Sequence, residues 1–133
     1  MPRREPAATC AALLEEGYIY VDVRTVSEFD AGHPNGAYNV PAFVAGAGGM
    51  APNPSFVDEM KANFEADTKI VVGCRSGGRS LKALHLLEAA GYTNIVDNEA
   101  GWLGSGSSEG WSPAGLPTAT QAEAGRDYAS LKR

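Results

Sequence analysis

Cys74-Arg75-Ser76-Gly77-Gly78-Arg79 is the stretch of this chain whose residue types and spacing read as a reactive centre. A thiol acts as a nucleophile in its thiolate form, so it needs surroundings that favour negative charge. Ser76, Gly77 and Gly78 offer small side chains and unobstructed backbone N–H groups, and Arg75 and Arg79 bracket them with two cations. Donors of this kind at the start of a helix favour an anion and lower the pKa of a thiol among them. A lone cysteine at a strand end is more often a small buried hydrophobe. Apolar packing, however, does not call for this composition, whereas anion binding calls for small residues, free N–H groups and cations.

Such a loop must be held by a strand before it and a helix after it. Lys69-Ile70-Val71-Val72-Gly73 is short, apolar and β-branched, as a buried strand is. Residues 80–90 read as a helix that stops on Gly91, with Ala83, Leu86, Leu87 and Ala90 as its core stripe. Upstream, Thr9 is expected to cap a short helix through Leu13, Leu14 and Glu16, with Gly17 as its stop. Tyr18-Ile19-Tyr20-Val21-Asp22-Val23 reads as a strand. Thr25 and Glu28 have capping-box spacing and open a helical turn that ends near Gly32. Residues 36–40 form a second short strand, ended by Pro41. Ala45-Gly46-Ala47-Gly48-Gly49-Met50 reads as a flexible connector, and no Gly-Lys-Ser/Thr follows to make it a phosphate loop. Asn53-Pro54 starts a helix whose apolar face is Phe56, Val57, Met60 and Phe64. Residues 93–96 are another strand.

Strands alternating with helices predict a parallel sheet covered on both faces, with sites at the C-terminal strand ends. Cys74 falls at such an end. Residues 103–110 are rich in Gly and Ser and read as a mobile segment, flanked by Trp102 and Trp111 that pack over the core. The polar tail from Thr118 is expected to fray or form a marginal helix.

The composition narrows the function classes. A chain of 133 residues that is 44% hydrophobic fits one globular domain. No apolar run approaches the roughly 18 residues of a membrane span, and Met1-Pro2-Arg3-Arg4-Glu5-Pro6 has no apolar core of a secretory signal behind it. A net charge of -5 argues against a nucleic-acid partner. Cys10 and Cys74 make no disulfide framework, and a reducing compartment is the simpler context. Cys10 reads as a passenger in the first helix, with a second redox thiol as the alternative. No cluster of His, Cys and carboxylates has ligand spacing, so neither metal nor cofactor is expected. His33 reads as a turn residue satisfied by hydrogen bonds and His85 as solvated, while Asp22, Glu28 and Asp30 are too scattered for a paired-carboxylate mechanism.

Four blocks in order resemble the rhodanese family of single-domain sulfurtransferases. They are Tyr20-Val21-Asp22-Val23-Arg24 with Glu28-Phe29; Gly32-His33-Pro34-Asn35-Gly36-Ala37-Tyr38-Asn39-Val40-Pro41; the stretch Val72 to Ser80 around Cys74; and Gly101-Trp102 with Gly115-Leu116-Pro117. Met50-Ala51-Pro52-Asn53-Pro54-Ser55-Phe56 is most similar to plant-type members, some associated with senescence or plastids. The resemblance implies a three-layer α/β/α domain with a five-stranded parallel sheet over residues 9–117, an N-terminal extension over 1–8 and a C-terminal tail over 118–133. It implies that Cys74 carries a persulfide, that Arg75, Ser76, Gly77, Gly78 and Arg79 cradle the transferred sulfur and the donor's oxyanion, and that Asp22 and Arg24 form a structural ion pair near the site. Arg79 has two readings of equal weight, an anion ligand or a tie from the loop to its surroundings.

The implied partners are a small anionic sulfur donor such as thiosulfate and a cyanide or thiol acceptor, with a protein thiol as a further acceptor. No nucleic acid and no membrane is expected, and the chain is expected to be monomeric, in the chloroplast or cytoplasm. Two departures from the family pattern bear on one pocket wall: the usual Gly-Gly doublet reads Ala100-Gly101, and the segment after it is lengthened by the Gly/Ser insert. Two rival classes remain. A cysteine phosphatase has five residues between Cys and Arg, where this chain has four, and no aspartic acid is evidently placed as its general acid. A binding or redox-sensing module is the other, and the cysteine with both arginines favours catalysis over it.

Overall fold

Short β-branched runs that alternate with helices leave one stable arrangement, a parallel sheet whose crossovers lay helices on its two faces. The computed structural model describes residues 3–46, 48–106 and 108–132 and has this arrangement. In chain order its elements are β1 (Arg4–Glu5), α1 (Ala7–Glu15), β2 (Ile19–Asp22), α2 (Val26–Ala31), β3 (His33–Pro34) and β4 (Tyr38–Asn39), followed by β5 (Phe43–Gly46), β6 (Gly49–Pro52), α3 (Phe56–Asn63) and β7 (Ile70–Gly73). Then come α4 (Gly78–Ala89), β8 (Ile95–Asn98), β9 (Gly104–Ser105), β10 (Ser108–Glu109), β11 (Thr118–Ala119) and α5 (Tyr128–Leu131).

The main sheet has five strands in the order β1-β8-β7-β2-β4, all parallel. Its register pairs Ile19 with Ile70 and Asp22 with Gly73, and Val72 with Asp97 on the other side of β7. Side chains alternate between the sheet's faces. Val21, Val23, Ile70, Val72 and Ile95 pack with Phe56 and Met60 of α3, Leu84 and Leu87 of α4, and Leu131 of α5. Tyr20, Val71 and Val96 pack on the opposite face with Cys10 and Leu13 of α1, Phe29 of α2, and Trp111. The expected three-layer α/β/α architecture is therefore present.

Several local expectations change in the folded chain. Residues 1–8 were expected as an extension, yet Arg4–Glu5 is an edge strand of the main sheet, and Pro6 rather than Thr9 stands at the N-cap of α1. The tail beyond 117 also joins the domain: Thr118–Ala119 pairs with β3, and Leu131 is 5% exposed in the core. Two-residue strands carry too little pattern to be read from sequence, and a neighbouring edge supplies their hydrogen bonds. The connector around 45–50 is a hairpin in which Phe43 faces Pro52 and Gly46 faces Gly49, although Ala47 lies outside the described residues. The Gly/Ser segment is likewise a small hairpin, β9 with β10, with Ser107 outside the described residues. Asn53 does not begin a helix directly. Its side-chain oxygen accepts from Ser55 N at 3.1 Å, and α3 starts at Phe56.

The core stripe of α4 is Ser80, Ala83, Leu84 and Leu87, while Leu86 is 46% exposed. The loop sets this phase. Ser80 Oγ lies 3.4 Å from Cys74 Sγ and 3.3 Å from the Gly77 carbonyl, so the helix turns Ser80 inward. Residues one turn on, at i+3, i+4 and i+7, then follow it onto the sheet.

Candidate active site

β7 delivers Cys74 to the C-terminal edge of the sheet, and α4 begins at Gly78, four residues later. Cys74 is 2% exposed and sits beneath its own loop. The Gly77 N–H donates to Cys74 Sγ at 3.1 Å, with the Ser80 hydroxyl on another side of the sulfur. The first-turn N–H groups of Gly78, Arg79 and Ser80 have no intrahelical acceptors by position. Gly77 has φ +102, and a Cβ there would lie 2.5 Å from the Glu99 carbonyl oxygen. Only glycine fits this left-handed, closely approached position.

The segment after β8 locks the start of the loop from behind. Trp102 N donates to the Cys74 carbonyl at 2.8 Å, and Leu103 N donates to the Arg75 carbonyl at 3.0 Å. Gly101 lets these strands touch, since a Cβ there would lie 2.6 Å from the Arg75 carbonyl oxygen. Ala100, the departure in the expected doublet, is wholly buried in the core on the α1 face. Neither it nor the 103–110 hairpin lines the cleft described below.

The two arginines divide their work. Arg75 is exposed and lines the cleft, and its guanidinium has no hydrogen-bond or ion-pair partner among the described residues. Arg79 is tied off: its Nη1 and Nη2 donate to Glu28 Oε1 and Oε2 at 2.7 and 2.9 Å. These contacts are the tie of the second reading, running from the loop's end to α2. Glu28 is also the N3 residue of the capping box with Thr25. The Arg79 fork, helped by Thr25, holds the Glu28 carboxyl down at about 2 despite partial burial. Glu28 was read from sequence only as a helix cap. Its partner 51 residues away has no local signal.

Asp22 and Arg24 form the expected ion pair. Arg24 Nη2 donates to Asp22 Oδ2 at 2.6 Å and to the Gly32 carbonyl at 2.6 Å, and Nε donates to Asp22 Oδ1 at 2.9 Å. Burial pushes the Asp22 carboxyl up, with the Arg24 contacts opposing. Asp22 is the register partner of Gly73, so the pair stands beside the strand end that carries Cys74. The Arg24 guanidinium also lies 5.0 Å over the Trp102 ring, which makes Trp102 part of the site's frame. Ser76 and Gly78 are exposed on the loop.

A cleft of about 660 Å³ opens at this edge. The Glu28–Arg79 pair and Arg75 lie on one side, and Val26, Pro41, Val44, Ala45, Met50 and Tyr128 supply an apolar wall. The β5–β6 hairpin, read from sequence as a connector, builds much of that wall.

The other candidates lie apart. Cys10 is fully buried in α1, and burial pushes its thiol up to about 12, which suits a packing residue. His33 is 1% exposed, stacks on Phe29 at 3.7 Å and reaches the Phe29 carbonyl at 2.7 Å through Nδ1. His85 is exposed on α4. No group of three or more His, Cys, Asp or Glu among the described residues is arranged to hold a metal ion, and no helix is long and apolar enough to cross a membrane.

Comparison with known proteins bears on the family and the fold. Thiosulfate sulfurtransferase 16, chloroplastic, of Arabidopsis thaliana is 44% identical over 106 residues, covering 80% of this chain and 83% of that protein. Senescence-associated protein DIN1 of Raphanus sativus is 39% identical over 103 residues, 77% of this chain but only 56% of its own length. Among solved structures, a rhodanese-like domain from Anabaena sp superposes with TM-score 0.71 at 23% identity, covering 93% of this chain and 83% of that one. Rv0390 from M. tuberculosis superposes with TM-score 0.71 at 23% identity, covering 89% and 97%. These two likenesses bear on the fold alone. Residues 6–106 match the rhodanese-like domain, and the chain belongs to that family.

Proposed function

We propose that this protein is a sulfurtransferase that moves a sulfane sulfur from thiosulfate, or a related anionic donor, to a thiophilic acceptor through a persulfide on Cys74. The observation that carries the reading is the Gly77 N–H on Cys74 Sγ at 3.1 Å, at a helix start beside the unpaired cation of Arg75. The 44% identity to a relative named as a thiosulfate sulfurtransferase supports the same reaction class.

The chemistry balances without an outside oxidant or cofactor. The Cys74 thiolate attacks the outer sulfur of thiosulfate, forming one S–S bond as the S–S bond of the donor breaks. Sulfite departs with the electron pair, and the protein keeps a persulfide anion. Cyanide or a thiolate then attacks the outer sulfur and regenerates the Cys74 thiolate. Sulfite leaves as a stable anion, so no general acid is required. The demand on the site is anion stabilisation, which the Gly77 N–H, the first turn of α4 and Arg75 are arranged to supply. Arg75 takes the sulfonate oxygens of the donor, and Arg79 acts through Glu28 to keep the loop in place.

A phosphatase reading fits less well. Glu28, the carboxylate paired with Arg79, is held at about 2, so it is no proton donor near neutral pH. The names of two Arabidopsis relatives call them chloroplastic, which supports a plastid location. The deciding experiment is mass spectrometry of the protein after thiosulfate treatment. A sulfur-sized adduct on Cys74 that cyanide removes, and that Cys74→Ser lacks, is expected. Thiosulfate-dependent thiocyanate formation by Cys74→Ser at the wild-type rate would overturn the reading.

A further inference from the structure

We propose that Arg4 is a positioning residue for the Cys74 loop, holding the Gly77 carbonyl and the Asp97 carboxylate at once and thereby keeping the Gly77 N–H on the sulfur. This rests on the reading of Cys74 as the nucleophile. Arg4 lies outside residues 6–106 that match the family, on an edge strand that the sequence presents as an extension.

The contacts form a continuous path. Arg4 pairs in register with Asp97, and Asp97 N donates to the Arg3 carbonyl at 2.9 Å. Arg4 Nε donates to Asp97 Oδ2 at 2.7 Å, and Arg4 Nη2 donates to the Gly77 carbonyl at 3.3 Å. Gly77 in turn donates its N–H to Cys74 Sγ at 3.1 Å. The Asp97 carboxylate is wholly buried and accepts from Arg4 Nε, which anchors one arm of the guanidinium. Burial pushes the Asp97 carboxyl up, and Ser80 and Arg4 oppose that.

The reason such a strut is needed lies in the loop's composition. Ser76-Gly77-Gly78 has the backbone freedom of two adjacent glycines, and Gly77 adopts φ +102 with no Cβ to restrict it. A glycine hinge keeps one orientation only when its neighbours hold it. Leu81 N and Ser80 Oγ hold the Gly77 carbonyl from within α4, at 3.2 and 3.3 Å. Arg4 Nη2 is the contact from outside the helix, and it would also lie 3.0 Å from a Cβ on Gly77. The Asp97 carboxylate offsets the Arg4 charge, so the effect at the sulfur runs through geometry rather than through the field of a free cation. Arginine can serve two acceptors with one rigid fork, and lysine cannot reproduce that.

The test uses the full chain and reads the chemistry separately from the stability. Iodoacetamide alkylation, mapped to Cys74 by peptide mass spectrometry, is followed from pH 6 to pH 10 beside steady-state sulfurtransfer and thermal unfolding. The other charged groups around the sulfur among the described residues are Arg75 of the loop, Arg79 of α4 with its partner Glu28 of α2, the Asp22–Arg24 pair at the end of β2 and Asp97 of β8, and all remain in each variant. In Arg4→Ala, alkylation near pH 7 is expected to slow by about 5- to 10-fold with the high-pH plateau unchanged, and kcat/KM for thiosulfate to fall by about the same factor. Arg4→Lys keeps the Asp97 ion pair and the strand, so it is expected to regain most of the lost Tm yet keep the slowed alkylation. It carries the test even where the alanine variant does not fold. Arg3→Ala, whose exposed side chain pairs with Glu5 at 3.0 Å, is expected to match wild type. An alkylation profile of Arg4→Lys that superimposes on wild type overturns the proposal, whatever its Tm. Sulfurtransfer surviving in Cys74→Ser would instead overturn the reading of the nucleophile, so the two failures are distinguishable.

Discussion

Replacing Glu28 by Gln should weaken the domain in a pH-dependent way, and the structure sets both the size and the sign. Glu28 meets Arg79 through two hydrogen bonds, at 2.7 and 2.9 Å. Its carboxyl is held at about 2, against 4.5 for an ordinary glutamate. That difference corresponds to about 3 kcal/mol of preference for the charged form in the folded state. The side chains are 20% and 28% exposed, so water takes up part of the load when the pair is broken. The net cost at pH 7 is then about 1–2 kcal/mol. Glutamine retains the N3 role of a capping box, so this substitution tests the ion pair and not the cap. The sign follows from a folded-state pKa that is depressed. The stabilisation is fully present above the unfolded value and is lost as pH falls toward the folded one. Urea unfolding of wild type and Glu28→Gln at pH 7, 5, 4 and 3 should therefore show a constant gap at the upper two values and a narrowing one below. A gap that stays the same down to pH 3 would refute the claim that Arg79 holds this carboxylate down.

Other outcomes follow from the same geometry. Arg75→Ala should lower kcat/KM for thiosulfate by about 10- to 100-fold, the loss of one charge-assisted contact to an anion, with little change in Tm. Steady-state kinetics at several donor concentrations check this, and an unchanged kcat/KM would remove Arg75 from the donor site. Leu84→Ala should cost about 2–5 kcal/mol in urea unfolding, because Leu84 is wholly buried. Leu86→Ala should change stability by no more than about 0.5 kcal/mol, because Leu86 is 46% exposed, and the reverse order would mean that α4 packs with a different face.

Much of the site was legible because its parts lie close together in sequence. The Cys74 loop, the strand before it, the helix after it and the Thr25–Glu28 capping box are all local patterns, and local patterns follow from spacing and side-chain type. The Asp22–Arg24 pair, two residues apart, was legible through the family resemblance. The stripe of α4 was misread at Leu86, with Ser80 and Leu84 missed, because periodicity alone does not set a helix's phase. The contact of Ser80 with the Cys74 loop does.

By itself the sequence determined the nucleophile candidate, the small-residue loop between two arginines, the α/β class and the order of the main strands' segments. Those depend on residue types within a few positions of one another. Only the tertiary structure showed what each cation meets: Arg79 a carboxylate 51 residues away, and Arg75 none among the described residues. It also turned an apparent extension into an edge strand and an apparent connector into a wall of the cleft. Two-residue strands and glycine-rich hairpins have no stable pattern alone. They take their form from the edges and carbonyls that the folded sheet presents to them.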